Sequence, residues 1–349
     1  ENMGFYNLYM HENDPAGVQS NFVISTNDYD DTASYMPFEL INCVFESSDP
    51  THVDNLSHIK VGASPVYITN CYFGRTLGGA LRLADGSFGA KIKYCTFNTL
   101  NTELNDTHNS IQCRMHNTTV EDCRFIGSTH GIRTASPGEG TYFIPDNLVV
   151  RNCYFYGQLL NAIFIQPNTN SDNNSVGHIY ENNLIKNVDE GIRFRDMKTL
   201  IIRRNMIIGG SYSTYGIVGH SSESSAGISI YYNVIYGFPY DEINIPLSTS
   251  LTLYNNTVDG SITLTGSTSP ITRNNFYRIS CTTNTSNNIN IPDIVYSNYF
   301  IDLPNHNYIL KSTATEAIEG GYDVNLTPDI IGTVVPDGTP DVGAYEYIP

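Results

Sequence analysis

The chain contains no tryptophan, and its 18 lysines and arginines face 35 aspartates and glutamates, for a net charge of −17. A shortage of positive charge disfavours nucleic acid and anionic membranes as partners, because both are held largely through basic side chains. No run of about 18 apolar residues occurs, so no helix would span a bilayer. No segment shows a convincing helical period. The patterns GxSxG, GxGxxG and GxxxxGK[ST] are missing, and with them the signatures of a nucleophile elbow, a dinucleotide fold and a phosphate loop. Seven cysteines are present, but no CxxC pair or Cys/His spacing reads as a zinc site.

What the chain does have is a repeat. A small polar residue, any residue and then a large apolar one recur at Cys43/Phe45, Cys71/Phe73, Cys95/Phe97, Cys123/Phe125, Cys153/Phe155 and Asn183/Ile185. The pattern continues at Asn205/Ile207, Asn233/Ile235, Asn256/Val258, Asn275/Tyr277 and Asn298/Phe300, in steps of 28, 24, 28, 30, 30, 22, 28, 23, 19 and 23 residues. Self-similarity at a period of about 20 to 50 residues marks a solenoid. Short alternating runs such as Val66-Tyr67-Ile68 and Leu200-Ile201-Ile202, bounded by Gly, Asn, Ser and Pro, read as strands. The expectation is an all-β, right-handed parallel β-helix of about eleven coils, with 1–303 as the body and 304–349 as a C-terminal capping segment of the same domain. Like residues then stack about 4.8 Å apart. The Cys/Asn position becomes an internal ladder in which asparagine amides bond along the axis. Equally spaced cysteines fill that niche as free, buried thiols.

The chain begins at Glu1 without a signal peptide, which reads as a mature or trimmed fragment. Seven sequons, at Asn55, Asn105, Asn117, Asn173, Asn255, Asn284 and Asn325, are compatible with an extracellular setting. The acidic run Asn27–Asp31 reads as a solvated loop that could hold calcium; no other cofactor is expected. Polar insertions at Asn101–Asn109, Ser136–Pro145 and Pro167–Gly177 interrupt neighbouring coils and could form a cleft wall.

About ten residues after each ladder position comes a second strand. Aligning those strands on Leu81, Ile111, Ile132, Ile163, Ile192, Ile217 and Ile243 puts Arg82, Gln112, Arg133, Phe164, Arg193, Val218 and Asn244 outward. Two residues on, the column includes Arg114, Arg195 and His220. Two residues before the apolar position it includes Asn109, His130, Asn161, Glu190, Tyr215 and Asp241. One ribbon of an acidic protein thus gathers five arginines, suited to gripping carboxylates or sulfates bidentately. The expected binding set is Arg82, Arg114, Arg133, Arg193, Arg195, His130, Tyr215 and His220, and the expected ligand is an anionic polysaccharide. The plainer reading is a solvated face whose arginines pair with Glu190, Asp196 and Asp241.

Hydrolysis of a glycosidic bond needs two carboxylates. Glu190 and Asp241 stand two coils apart, about 9.6 Å between Cα atoms, with Asp196 at the other edge of the Glu190 strand as a third candidate. Asp241 is expected as the acid and Glu190, beside Arg193 and Arg195, as the ionised base. The alternatives are β-elimination from a uronate, with His130, Arg133, Arg193 or Tyr215 moving the proton, and a glycan-binding surface protein without catalysis.

The ending carries its own signature: Ala317-Ile318-Glu319-Gly320-Gly321, Asp329-Ile330-Ile331-Gly332 and Asp341-Val342-Gly343-Ala344-Tyr345-Glu346-Tyr347. It resembles the end of secreted right-handed β-helix proteins that act on polysaccharides. The closest resemblance is to the disaggregatases of methane-producing archaea, enzymes that degrade methanochondroitin, a chondroitin-like, uronate-containing wall glycan. That resemblance implies an extracellular, endo-acting glycoside hydrolase on an anionic polymer. No catalytic motif of the family matches residue by residue.

Overall fold

The structure, a computed structural model, describes residues 3–12, 24–25, 37–47, 59–62, 65–74, 79–83, 89–99, 108–134, 145–165, 175–221, 225–282, 287–290, 298–302, 305–324, 328–334 and 339–348. The run Asn27–Asp31, most of the three polar insertions, and the sequons at Asn55, Asn105, Asn173, Asn284 and Asn325 lie outside those residues. Of the two remaining sequons, Asn117 is exposed, whereas Asn255 is fully buried and cannot carry a glycan.

Three parallel sheets of eleven, twelve and eleven strands wind around one core, and consecutive coils contribute one strand to each. The fold is the parallel β-helix expected from the repeat. No α-helix occurs among the described residues. The first sheet runs from Met3–Tyr6 to Ile271–Arg273, the second from Tyr9–Glu12 to Ile289–Asn290, and the third from Ile24–Ser25 to Ser280–Cys281.

The ladder residue sits at the bend between the first two sheets. Asn183, Asn205, Asn233, Asn256 and Asn275 each donate Nδ2 to Oδ1 of the next asparagine at 2.8–3.0 Å. Each acceptor oxygen also takes the backbone N–H of the preceding ladder residue, so the buried amides are satisfied in both directions. The final member is Asn288, 13 residues after Asn275. Asn298, expected in that place, is exposed, and Phe300 after it opens a hairpin of Phe300–Asp302 with Asn307–Leu310. The five cysteines of the ladder are free and buried. Two residues on, Phe45, Phe73, Phe97, Phe125 and Phe155 form a near-parallel stack at centroid spacings of 4.5–5.3 Å, which fills the core along the axis.

The described residues after 304 lie against a sheet face. Tyr308, Leu310, Ala314, Ala317, Val342, Ala344 and Tyr345 pack on Val234, Tyr236 and Phe276, outward residues of the second sheet. The acidic side chains of the closing motif hold this segment together. Asp341 accepts the N–H groups of Glu319 and Tyr347, Glu346 accepts that of Asp341, and Asp329 accepts those of Ile331, Thr333 and Glu346.

Candidate functional site

The third sheet carries the predicted columns in register. Lys60, Arg82, Gln112, Arg133, Phe164, Arg193, Val218, Asn244 and Thr263 occupy successive coils. So do Asn109, His130, Asn161, Glu190, Tyr215 and Asp241. Arg114, Arg195 and His220 extend past the strand ends, each bonded through its N–H to the preceding coil.

A local irregularity brings the two main columns together. Gly131, Ala162, Gly191 and Gly216 precede the aligned isoleucines and also face inward. A Cβ on Gly191 would lie 2.4 Å from Gly216 O and 2.6 Å from Ile207 Cγ2. Two consecutive interior positions push the residue before them to the outer side, where it meets the residue three further on. Hence Arg193 Nη1 bonds both carboxylate oxygens of Glu190 at 3.1 Å, and Asn244 Nδ2 donates to Asp241 Oδ2 at 2.8 Å.

The ribbon has a buried part and a half-buried part. Arg114 and Arg133 are only 2% exposed and His130 only 1%. Arg133 Nη1 lies 3.4 Å from His130 Nε2. Arg82, Phe164, Arg193, Arg195, Asp196, Tyr215, His220 and Asp241 are half-buried. The Phe164 ring is flanked by two guanidiniums, Arg133 at 5.1 Å and Arg193 at 5.6 Å from its centroid. Tyr215 lies 5.8 Å from the exposed ring of Tyr240, a pair that offers a platform for a sugar face.

The carboxylates are already engaged. Glu190 Oε2 also accepts from Asn161 Nδ2 at 2.5 Å, and Asp241 Oδ1 accepts from Thr263 Oγ1 at 3.0 Å. Burial pushes Glu190 upward, with Arg193 and Asn161 pulling it back and Asp189 adding to the rise; the direction is opposite to that expected for a base held ionised by arginines. Tyr215 stands on the coil between Glu190 and Asp241. Burial raises its hydroxyl, as do the charges of Asp241 and Glu190, so it is held as a phenol. Asp196 adopts a left-handed turn (φ 49°) beyond the strand end, away from the other two.

Sequence reasoning placed Asn161 in the column without a role, and missed Thr263, Tyr240 and the inward Glu242. Glu242 follows Asp241 in the position held elsewhere by Gly or Ala. It accepts the N–H of Ser261 at 2.8 Å, and burial pushes its carboxyl up to about 7. Among the described residues no group of three His, Cys, Asp or Glu side chains could hold a metal ion.

No protein-family model and no curated protein sequence matches the chain. Among solved structures the chain is similar to pectate lyase Pel9A, with TM-score 0.55 and 13% identity, over 91% of this chain and 89% of that one. It is also similar to PfbA, a surface adhesin of Streptococcus pneumoniae, with TM-score 0.47 and 14% identity, over 73% and 69%. The first of these likenesses agrees with the β-helix fold.

The glycoside-hydrolase expectation is corrected. A solved structure matched over 91% of this chain is a lyase, so the fold does not point to hydrolysis. The geometry agrees, since Glu190 and Asp241 have Tyr215 between them and each is committed to side-chain donors.

Proposed function

We propose that this protein is an extracellular polysaccharide lyase that binds a uronate-containing polymer along the third sheet and cleaves it by β-elimination. The observation that carries the reading is the column Arg82, Gln112, Arg133, Phe164, Arg193, Val218, in which no arginine has a carboxylate as its in-register neighbour. The likeness in fold to a pectate lyase supports the same class. The terminal motif's resemblance to disaggregatases makes a chondroitin-like polymer a natural substrate to try.

Elimination breaks the C–H bond next to the uronate carboxylate and the C–O bond to the departing chain, and forms a C=C bond. Arg193 is held by Glu190 and stacked on Phe164, which preorganises it to neutralise the substrate carboxylate as charge builds there. His220 is half-buried, beside Arg195 on the next coil; imidazole is the side chain suited to accept a proton near neutral pH. His130 lies too deep for that role. Tyr215, kept as a phenol, suits proton delivery to the departing oxygen and packing against a sugar.

The test is incubation with polygalacturonate and chondroitin-type polymers. Wild type should give shortened chains ending in an unsaturated, ultraviolet-absorbing uronate. His220→Gln should lower turnover by roughly 100-fold or more with little change in KM. Shortening without unsaturation, or full activity in His220→Gln, overturns the reading.

A further inference from the structure

A cleft lies away from the third sheet, between the C-terminal segment and the outer face of the second sheet. It has a volume of about 500 Å³, within the range that holds small ligands. Leu184 and Met206 form its floor, Ile330 and Tyr345 one wall, and Asn182 and Arg204 bring polar groups.

Arg204 is the unusual member. It occupies the left-handed turn before the ladder residue, with φ 55°. The equivalent residue is asparagine at Asn7, Asn42, Asn70, Asn152, Asn182, Asn255, Asn274 and Asn287. Asparagine tolerates this conformation better than a long side chain does. Tyr232, another exception, bonds Glu346 through its hydroxyl at 3.4 Å. Among the described residues Arg204 has no such partner: its Nε is buried and makes no hydrogen bond. A cationic donor left unsatisfied costs stability unless something completes it. Nothing in the coil requires arginine here, and the group stands at a cleft whose other surfaces are an aromatic ring and apolar side chains. That combination suits a saccharide carrying a carboxylate, with sugar faces against Tyr345 and Met206 and the anion on the guanidinium.

We propose that this cleft is a secondary, non-catalytic binding site for a uronate-bearing saccharide, which would hold the polymer to the protein away from the point of cleavage. The inference concerns a separate face and stands whether or not the third sheet performs elimination.

The probe is a galacturonate tetrasaccharide, measured by titration calorimetry at low salt. Arg193→Ala protein, with the third-sheet site weakened, should retain binding. Adding Arg204→Asn should weaken that residual affinity by about tenfold. Because the substitution restores the residue found in most coils, Tm should stay level or rise, which separates loss of binding from loss of fold. A neutral tetrasaccharide should bind far more weakly, and polyglutamate should not compete. Arg204→Asn alone should leave the cleavage rate of short substrates unchanged. The proposal is overturned if Arg193→Ala shows no residual binding, if Arg204→Asn leaves affinity intact, or if the neutral sugar or polyglutamate binds as well.

Discussion

Two outward columns, on two sheets of the same β-helix, treat their arginines differently. On the first sheet Lys93, Glu121, Arg151, Glu181, Arg203 and Tyr231 follow one another in register. Charge alternates, and ion pairs join Lys93 and Arg151 to Glu121 and Arg203 to Glu181. On the third sheet the places between arginines are taken by Gln112 and Phe164, and Val218 follows Arg193. Identical coil geometry thus yields a column that answers its own charges and a column that lacks in-register anions. Ion pairs of the first kind add little net stability, yet they show that the fold readily accommodates carboxylates between arginines. In-register carboxylates are absent from the third-sheet column, where Arg193 pairs instead with Glu190 on its own strand; under the proposed function that contrast, in a protein of net charge −17, favours an anionic ligand at this face.

The most damaging substitution for this contrast is Phe164→Glu, which would place a carboxylate between Arg133 and Arg193. Polymer cleavage at low salt should fall by roughly 100-fold, through a higher KM, and the defect should shrink as salt rises. A near-normal KM would mean that the ligand does not follow this column.

A smaller effect sharpens the comparison through acidity. Glu121 on the first sheet lies between two cations, whereas Glu242 on the third lies buried beside Ser261, Gly260 and Asp259. Its carboxyl rises from 4.5 to about 7, mainly through burial. A carboxyl raised in the folded state favours folding in its protonated form. Its contribution is therefore complete below 4.5 and lost as pH rises through about 7. Glu346 in the C-terminal segment, also raised to about 7 by burial and by Asp341 and Asp329, adds in the same direction. Buried His178, pushed down to about 3, acts in the opposite direction over the same interval, so the readout is a difference: the Tm of Glu242→Gln relative to wild type should rise by roughly 2–8 °C between pH 4.5 and about 7. A profile that Glu242→Gln leaves unchanged would contradict the assignment.

Much of the fold was legible in the chain. The Cys/Asn spacing gave the coils, and the alignment of Leu81 through Ile243 gave the third-sheet register without error. Asn298 misled because its spacing fits the repeat, whereas the true rung at Asn288 follows an unusually short coil. The site was legible as columns but not as contacts. Plain alternation cannot reveal that Gly191 and Ile192 both face inward; only the small residues at 131, 162, 191 and 216 hint at it. That irregularity is what joins Glu190 to Arg193 and removes it from a hydrolytic pair. The path of the last residues over the second sheet, which creates the Arg204 cleft, follows from contacts as distant as Tyr232 with Glu346 and Thr257 with Ala344, and no local pattern encodes it.

The central claim is that the third-sheet column, and not the first, receives the polymer. The direct measurement is the affinity of Arg193→Ala and Arg151→Ala for a polygalacturonate chain at low salt, each compared with wild type. The two substitutions remove the same charge from the same kind of strand. The account predicts that Arg193→Ala weakens binding by about tenfold or more while Arg151→Ala leaves it within about twofold. Equal losses would reduce the effect to net charge, and a loss confined to Arg151→Ala would move the polymer to the first sheet.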